Sequence, residues 1–282
     1  MTKQIGHSLL FCLSLWCEKP PKQKCKEMKS ITKLLLVLAT SIALSACVGE
    51  GTKSEYVSYT DTIALNGVEL FYAAEGVGKP VILLHGNGGS HNDMETTTRQ
   101  LAQAGYKVYA LDSRGQGANA PLEEYHYKDM AEDLFAFIEA KRLQRPAVFG
   151  FSDGGIIALQ MEVLHPGTLG AIATGGANIF VGGALVPEFE KEFLAQKNPN
   201  PLNVMMMNEP TMTVEDMQTI GCPALIMAGD GDLIREEHTR LIGENIPSGE
   251  VLIVSNADHG SYIYHSRRVG ELLLDFFARI GY

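Results

Sequence analysis

The sequence predicts an α/β fold in which a mostly parallel sheet carries helices on both faces. After about residue 80, short apolar runs typical of buried strands alternate with longer segments whose apolar residues recur at helical spacing. The chain has 282 residues, 45% of them hydrophobic, which is enough for one substantial core. We therefore expect one α/β domain over residues 56–282.

The predicted elements can be taken in chain order. Residues 63–72 hold an Asn-Gly pair between alternating apolar residues, which predicts a β-hairpin. Apolar runs predict further strands at 80–84, 147–149, 169–174, 224–228 and 251–254. Helical spacing and end signals predict helices at 93–104, 127–142, 154–165, 235–245 and 262–280.

A serine motif follows one of these strands. Residues 150–155 read GFSDGG and place Ser152 in a G-x-S-x-G frame directly after the run 147–149. A strand that ends in this frame and continues as a helix makes a sharp turn that exposes the serine hydroxyl above the sheet. Glycines suit the turn because its backbone is strained and its neighbours pack closely. Ser152 is the predicted nucleophile.

A serine hydroxyl needs an adjacent imidazole to take its proton during attack. His259 follows the predicted strand 251–254, so we expect it to be the base. His238 and His265 are the alternatives, but both fall within predicted helices, where a surface histidine is the ordinary interpretation.

A carboxylate should orient the imidazole and stabilise its charged form. The strand 224–228 ends in residues 229–232, GDGD, which offer Asp230 and Asp232. The residues alone leave both as candidates. The resulting chain order is Ser, Asp, His.

A glycine-rich loop should supply the oxyanion hole. Residues 85–89, HGNGG, follow the strand 80–84 and can offer a bare backbone N–H. We predict that the backbone N–H groups of Asn87 and Asp153 bind the oxyanion. His85 in this loop is expected to be structural. His91, His126 and His165 have no evident partner in the sequence, and a metal site built from them is not expected.

Five segments in chain order resemble the motifs of the α/β-hydrolase superfamily: 85–89, 112–117, 150–155, 229–232 and 256–260. Residues 112–117, DSRGQG, look like the D-x-R-G-x-G loop of its esterase, epoxide hydrolase and aminopeptidase branches, with Asp112 and Arg114 expected to form an ion pair. The resemblance implies an eight-stranded, mostly parallel sheet, a Ser152-Asp232-His259 triad and no cofactor or metal. It favours Asp232 over Asp230 because the family's acid usually lies about one turn beyond the strand, and Asp230 remains the alternative. Serine at position 152 argues against the dehalogenase and epoxide hydrolase branches.

The residue after the nucleophile suggests a narrower group. SDGG at 152–155 with GGAN at 175–178 is similar to the biphenyl-hydrolase-like and valacyclovirase serine hydrolases, several of which favour amino-acid esters. An exposed Asp153 carboxylate would be able to contact a substrate ammonium. The alternative is that this acid only stabilises the first turn of its helix.

The implied function is a carboxylesterase that cleaves small or medium esters through an acyl-enzyme. The alternatives are an aminopeptidase or amidase of the same fold, or a surface-binding lipoprotein without turnover.

One stretch interrupts the strand–helix alternation. Residues 180–220 are rich in Pro, Asn and Met, with helical patches at 187–197 and 213–219. In the superfamily an insertion at this point forms a cap over the active site, and here it is short. The methionines at 205–207 either line an adaptable apolar pocket or serve as ordinary packing.

The N-terminal region differs in kind. Lys29 and Lys33 precede the apolar run 34–46, which ends in small residues before Cys47. This pattern is typical of a secretory signal, and the run is too short to span a bilayer as a helix. Its end is similar to the cleavage site of bacterial lipoproteins, which implies that Cys47 is lipidated. The alternatives are an uncleaved anchor or an apolar run without function.

The expected organisation follows from this interpretation. Residues 1–27 are an upstream extension, 28–46 the lipoprotein signal peptide, 47–55 a tether and 56–282 the hydrolase domain. The protein is then expected in the bacterial cell envelope, lipid-anchored through Cys47 on the periplasmic or outer surface.

Charge and cysteine usage narrow the partners. Residues 1–46 hold seven Lys and Arg against two Asp and Glu, so the remainder has 16 basic and 31 acidic residues and a formal charge of −15. Such a surface repels nucleic acid and anionic lipid, so we expect a small ester substrate and attachment through the anchor alone.

Three of the five cysteines lie in the extension, and Cys47 is the expected lipid site. Cys222 is then alone in the domain and is expected to be buried, without a disulfide.

Overall fold

The computed structural model describes residues 56–282. The predicted extension, signal peptide and tether, including Cys47, lie outside the described residues.

Residues 56–282 form an eight-stranded sheet in the order β1-β2-β4-β3-β5-β6-β7-β8. The strands are β1 (Ser58–Leu65), β2 (Val68–Gly76), β3 (Lys79–Leu84), β4 (Tyr106–Leu111), β5 (Ala147–Phe151), β6 (Ala171–Gly175), β7 (Ala224–Gly231) and β8 (Gly249–Asp258). The pairs β1–β2 and β2–β4 are antiparallel, and all other neighbours are parallel. The predicted mostly parallel α/β sheet is confirmed.

The first two strands form the predicted hairpin. Leu65 pairs with Val68 across a two-residue turn, and Asn66 and Gly67 have φ values of 47° and 80°. Positive φ at both central positions is the geometry that an Asn-Gly pair favours. The local sequence therefore determines this turn.

Eight α-helices lie within the described residues. They are α1 (Glu95–Gln103), α2 (Tyr127–Ala140), α3 (Asp153–Leu164), α4 (Pro187–Leu194), α5 (Pro201–Asn208), α6 (Val214–Met217), α7 (Glu236–Asn245) and α8 (Arg268–Ile280), and a 3-10 turn (His91–Met94) precedes α1. No helix of residues 56–282 has the length and apolar character needed to cross a bilayer.

The sheet separates two hydrophobic cores. Val81 and Leu83 of β3 pack with residues of α1 and α8, whereas Ile82 and Leu84 pack with residues of α2, α3 and α7. Successive side chains of a strand point to opposite faces, so a central strand covered on both sides must be apolar throughout. This explains the uninterrupted apolar run that predicts β3.

Two helix predictions require correction. The last helix was predicted at 262–280 but begins at Arg268. Tyr262 and Ile263 are buried in the core, as predicted helix residues would be, but they lie in turns before the helix. Helix α5 was not predicted. Asn200 caps it by accepting a hydrogen bond from the backbone N–H of Asn203 at 2.8 Å, and Pro201 occupies its first position. The Asn-Pro pair was the available signal.

His238 also differs from expectation. It lies on α7 but is 4% exposed, so the surface interpretation is wrong. Its Nε2 accepts a hydrogen bond from the backbone N–H of Ile179 at 3.1 Å, which joins α7 to the start of the cap stretch. Burial, with a smaller contribution from Arg235, lowers the pKa of His238 to about 4.

This burial predicts a loss of stability in mild acid. Protonation favours the unfolded chain, because the pKa of His238 in the folded state is below its ordinary value of about 6.5. The contribution of His238 is complete above about pH 6.5 and decreases as the pH falls toward about 4. At about pH 5 the expected loss is roughly 2 kcal/mol of unfolding free energy.

Urea unfolding at about pH 7.5 and about pH 5 measures this loss. His238→Gln, which keeps a polar side chain but does not titrate, should reduce the difference between the two pH values. His265→Gln is the matched control, because His265 is exposed and precedes α8. Equal pH dependence in wild type and His238→Gln would contradict the prediction.

Candidate active site

Ser152 lies at the sharp turn between β5 and α3. Its backbone has φ 51° and ψ −116°, a strained conformation for a residue with a side chain. The turn is held by a hydrogen bond of 2.7 Å from the Ser152 N–H to the carbonyl oxygen of Gly175. A Cβ at Gly150 would lie 2.1 Å from the Gly154 carbonyl oxygen, so the motif requires glycine there. The strand–turn–helix context of the serine motif is therefore present.

Three predicted residues come together at this turn. His259 Nε2 lies 3.1 Å from Ser152 Oγ, and His259 Nδ1 lies 2.6 Å from Asp232 Oδ1. Asp232 is buried, and its oxygens also accept hydrogen bonds from the N–H groups of Gly229 and Ile234 at 3.1 and 3.0 Å. The predicted nucleophile, base and acid thus form one continuous chain of contacts.

Asp230, the alternative acid, does not contact His259. Its carboxylate accepts hydrogen bonds from the backbone N–H groups of Asn256 and Ala257 at 2.8 and 3.0 Å. These bonds lower the pKa of Asp230 and tie the end of β7 to the segment that carries His259. The structure gives Asp230 a supporting position and Asp232 the contact with the imidazole.

The glycine-rich loop 85–89 lies beside the turn. A Cβ at Gly86 would lie 3.3 Å from the Ser152 Cβ. The backbone N–H groups of Asn87 and Asp153 donate no hydrogen bond to any residue in the range 56–282. Their binding of an oxyanion stays a prediction.

His85 supports this loop from below. It is buried, its Nε2 accepts from the Ser113 N–H at 3.0 Å, and its Nδ1 lies 2.7 Å from the Gly86 carbonyl oxygen. Because Nε2 accepts a hydrogen bond, it carries no proton, and the ring proton is on Nδ1. Nδ1 therefore donates to the Gly86 carbonyl oxygen. The expected structural role of His85 agrees with these contacts.

The expected ion pair between Asp112 and Arg114 is wrong. Asp112 instead contacts His91 Nδ1 at 2.9 Å, and Arg114 binds Asp133 of α2 with two hydrogen bonds of 2.7 Å. The loop after β4 turns the two side chains away from each other, so each pairs with a different neighbour. Arg114 also lies 3.3 Å from Asp129.

The exposure expected for the Asp153 carboxylate is also wrong. Asp153 is 2% exposed, and its Oδ1 and Oδ2 accept hydrogen bonds from the Tyr127 hydroxyl at 2.8 Å and the Asn87 side-chain amide at 3.0 Å. Both oxygens are therefore occupied by protein donors, which removes the basis for the proposed contact with a substrate ammonium. The sequence shows Asp153 at a helix start, but Tyr127 lies 26 residues away and its approach is a tertiary feature.

A cavity lies between the cap stretch and the body of the domain. Phe180, Leu185, Phe193 and Met206 form much of its apolar wall, and Tyr127 also lines it. Met206 therefore faces this cavity, whereas Met205 packs in the core and lines a second cavity beside Tyr125 and Val204.

Cys222 is buried, as expected, and burial raises the pKa of its thiol to about 12. The thiol is thus protonated at neutral pH and is a poor nucleophile. Among residues 56–282, no group of three His, Cys, Asp or Glu side chains is arranged to hold a metal ion.

Comparison with known proteins agrees with this geometry. Residues 79–204 match the family model for the alpha/beta hydrolase fold. A thermostable monoacylglycerol lipase of Bacillus sp. (strain H-257) is 30% identical over 249 residues, covering 76% of this chain and 96% of the lipase. The human serine hydrolase BPHL is 23% identical over 246 residues, covering 76% of this chain and 84% of that protein.

A solved structure shows the same fold. Est816, described as an N-acyl homoserine lactone degrading enzyme, superposes with a TM-score of 0.66 at 22% identity, covering 77% of this chain and 100% of its own. Because the lipase is 30% identical over 76% of this chain and the family model matches residues 79–204, the chain belongs to the α/β-hydrolase family.

Proposed function

We propose that this hydrolase is a serine carboxylesterase that cleaves small or medium esters through an acyl-enzyme. The observation that carries the proposal is the continuous chain from Ser152 Oγ to His259 Nε2 and from His259 Nδ1 to Asp232, with distances of 3.1 and 2.6 Å. A serine, an imidazole and a buried carboxylate in this order are the groups that acyl transfer requires.

Each residue has a defined step. Ser152 Oγ attacks the ester carbonyl carbon while His259 Nε2 takes the hydroxyl proton, and Asp232 stabilises the resulting imidazolium. The N–H groups of Asn87 and Asp153 donate to the oxyanion of the tetrahedral intermediate. Collapse of the intermediate expels the alcohol, which receives the proton from His259. Water then attacks the acyl-enzyme by the same route and releases the acid.

The relatives support a carbonyl substrate of the ester class. The Bacillus relative is named a monoacylglycerol lipase, and Est816 is described as degrading acyl homoserine lactones. A monoacylglycerol is an ester, and a homoserine lactone contains a cyclic ester. An aminopeptidase or amidase with the same groups is the second candidate, and release of an amine from an aminoacyl amide distinguishes it.

Replacement of Ser152 tests the proposed nucleophile. Residues 48–282 should hydrolyse part of a panel of p-nitrophenyl acyl esters, and Ser152→Ala should lower kcat by roughly 10⁴-fold or more, because it removes the attacking oxygen. Release of p-nitrophenolate measures the rate, and aminoacyl amides belong in the same panel. A fluorophosphonate probe should label the wild type at Ser152.

Equal turnover by Ser152→Ala and wild type would contradict the serine mechanism. Absence of both turnover and labelling would favour a surface-binding protein that retains the fold without catalysis.

Amide variants of Asp232 and Asp230 distinguish the two candidate acids. Asp232→Asn should lower kcat by roughly 10⁴-fold, because the imidazole loses its charged partner and its preferred tautomer. Asp230→Asn is the matched control, and it should lower kcat by less than about tenfold because Asp230 binds only backbone N–H groups. Steady-state kinetics on one p-nitrophenyl ester measures both. A larger loss in Asp230→Asn would reverse the assignment.

The anchor is a further part of the proposal. We infer from the basic residues, apolar run and small residues before Cys47 that the mature chain begins at a lipidated Cys47 in a bacterial envelope. Without the lipid, the acidic domain would be repelled by anionic membrane surfaces.

Lipidation predicts a specific labelling result. Cells that express the full chain should incorporate labelled palmitate into the protein and place it in the membrane fraction. Cys47→Ser should abolish both, whereas Cys222→Ser should leave both unchanged because Cys222 is buried within the domain. Membrane recovery of Cys47→Ser equal to wild type would indicate an uncleaved anchor.

A further inference from the structure

A buried line of hydrogen bonds connects Tyr127 on α2 to the oxyanion loop. The Tyr127 hydroxyl donates to Asp153 Oδ1 at 2.8 Å, and the side-chain amide of Asn87 donates to Asp153 Oδ2 at 3.0 Å. Tyr127 and Asp153 are 1% and 2% exposed. The proposed acyl-transfer steps use only the backbone N–H groups of Asn87 and Asp153, so these side-chain contacts have no role in them.

We propose that Tyr127 and the Asp153 carboxylate are positioning residues that hold the Asn87 backbone N–H in its oxyanion-binding orientation. This inference rests on the proposed function, because it assigns the two side chains a part in the same site. It concerns the hydrogen-bonding side chain of Asp153 and does not require a contact between that carboxylate and substrate.

One hydrogen bond within the loop, from the Gly89 N–H to the Gly86 carbonyl oxygen at 3.0 Å, closes a turn over Asn87 and Gly88, and contacts from outside the loop fix the position of that turn. Asn87 lies between Gly86 and Gly88, and Gly88 has a positive φ of 67°. Glycines allow many backbone conformations, so contacts from outside must select one. Two hydrogen bonds supply them: the Gly88 N–H donates to Gln116 Oε1 at 2.7 Å, and the Asn87 amide donates to Asp153.

Asp153 is suited to this role because it belongs to both halves of the oxyanion hole. Its own N–H is one donor, and its carboxylate binds the side chain of Asn87, the residue that supplies the other donor. The hydrogen bond therefore restrains the separation of the two N–H groups. Preorganised donors of this kind stabilise the transition state without reorganising during the reaction.

Tyr127 in turn orients the carboxylate. Burial raises the pKa of Tyr127 well above its ordinary value, so the hydroxyl remains a donor. Burial also raises the pKa of Asp153, and the hydrogen bonds from Tyr127 and Asn87 oppose that shift. Removing the Tyr127 hydroxyl would leave a buried carboxylate with one side-chain donor fewer, so its orientation toward Asn87 would be less well fixed.

Glu209 of the cap stretch binds the backbone of Tyr127. Glu209 Oε2 accepts a hydrogen bond of 3.0 Å from the Tyr127 backbone N–H, and Glu209 Oε1 lies 2.6 Å from His126 Nδ1. The carboxylate satisfies an N–H at the start of α2, where helix N–H groups lack internal partners. The position of the cap is thus linked through Tyr127 and Asp153 to Asn87.

Single variants test the role of each contact. Tyr127→Phe, Asp153→Ala and Asn87→Ala should each lower kcat for p-nitrophenyl esters by roughly ten- to a hundredfold, with KM changed by less than about threefold. Their affinity for phenylboronic acid, which forms a tetrahedral anionic adduct on a serine, should fall by a similar factor. Tyr106→Phe is the matched control and should keep the wild-type kcat, because it loses only a hydrogen bond to the Tyr282 carbonyl oxygen.

Two further variants distinguish positioning from packing. Tyr127→Phe combined with Asn87→Ala should be no slower than Asn87→Ala alone, because both changes break one line of contacts. Asp153→Asn should have a kcat at least about tenfold above that of Asp153→Ala, because asparagine still accepts from Tyr127 and can pair with a rotated Asn87 amide.

The kinetic outcomes that overturn the proposal are distinct. Independent losses in the double variant, or a Tyr127→Phe kcat within about twofold of wild type, would show that the line does not position Asn87. A loss in Asp153→Asn confined to amino-acid esters would instead assign the carboxylate to a substrate ammonium.

The positioning role can also be measured by NMR, without substrate turnover. The NMR order parameter of the Asn87 backbone N–H should be lower in Tyr127→Phe than in wild type and unchanged in Tyr106→Phe. If the wild type hydrolyses no ester, the proposed function fails while this measurement still decides the positioning role. An unchanged order parameter at Asn87 would overturn it. Should Tyr127→Phe fail to fold, the same measurement on Asp153→Ala against Asp153→Asn replaces it.

Discussion

The candidate site depends on the close approach of β3, β5 and α3 around Ser152. A Cβ at Gly154 would lie 2.5 Å from the Leu84 carbonyl oxygen, and one at Gly150 would lie 2.1 Å from the Gly154 carbonyl oxygen. Both distances are too short for a side chain, so α3 reaches the sheet only with glycine at these positions. Because Leu84 is followed by the loop 85–89, the same approach brings the oxyanion loop beside the nucleophile.

The strand order then brings together the proposed base and acid. Strands β7 and β8 are neighbours, so Asp232 and His259 leave the sheet at the same edge. His259 must still reach across the end of β6 to Ser152. Gly176 permits this, because a Cβ there would lie 2.5 Å from His259 Cε1. Small residues therefore permit the approach of Ser152 to both its oxyanion loop and its base.

The charged groups around the site are satisfied by contacts from distant parts of the chain. Arg114 pairs with Asp133, Asp112 with His91, and the Asp153 carboxylate with Tyr127 and Asn87. A buried charge is costly unless it is paired or hydrogen-bonded, so these contacts restrict where each loop can lie. In the proposed mechanism, loops restrained in this way present N–H groups to the oxyanion in a defined arrangement.

The sequence by itself determined what is encoded locally. The Asn-Gly turn, the apolar runs of the central strands and the glycine-flanked Ser152 all depend on residues within a few positions, and family resemblance supplied the order of Ser152, Asp232 and His259. Only the tertiary structure decided which side chains meet. Neither the burial of Asp153 nor the separate partners of Asp112 and Arg114 follows from local pattern, because each partner lies 19 or more residues away. Long-range contacts depend on the packing of whole elements, which periodicity and motif spacing do not specify.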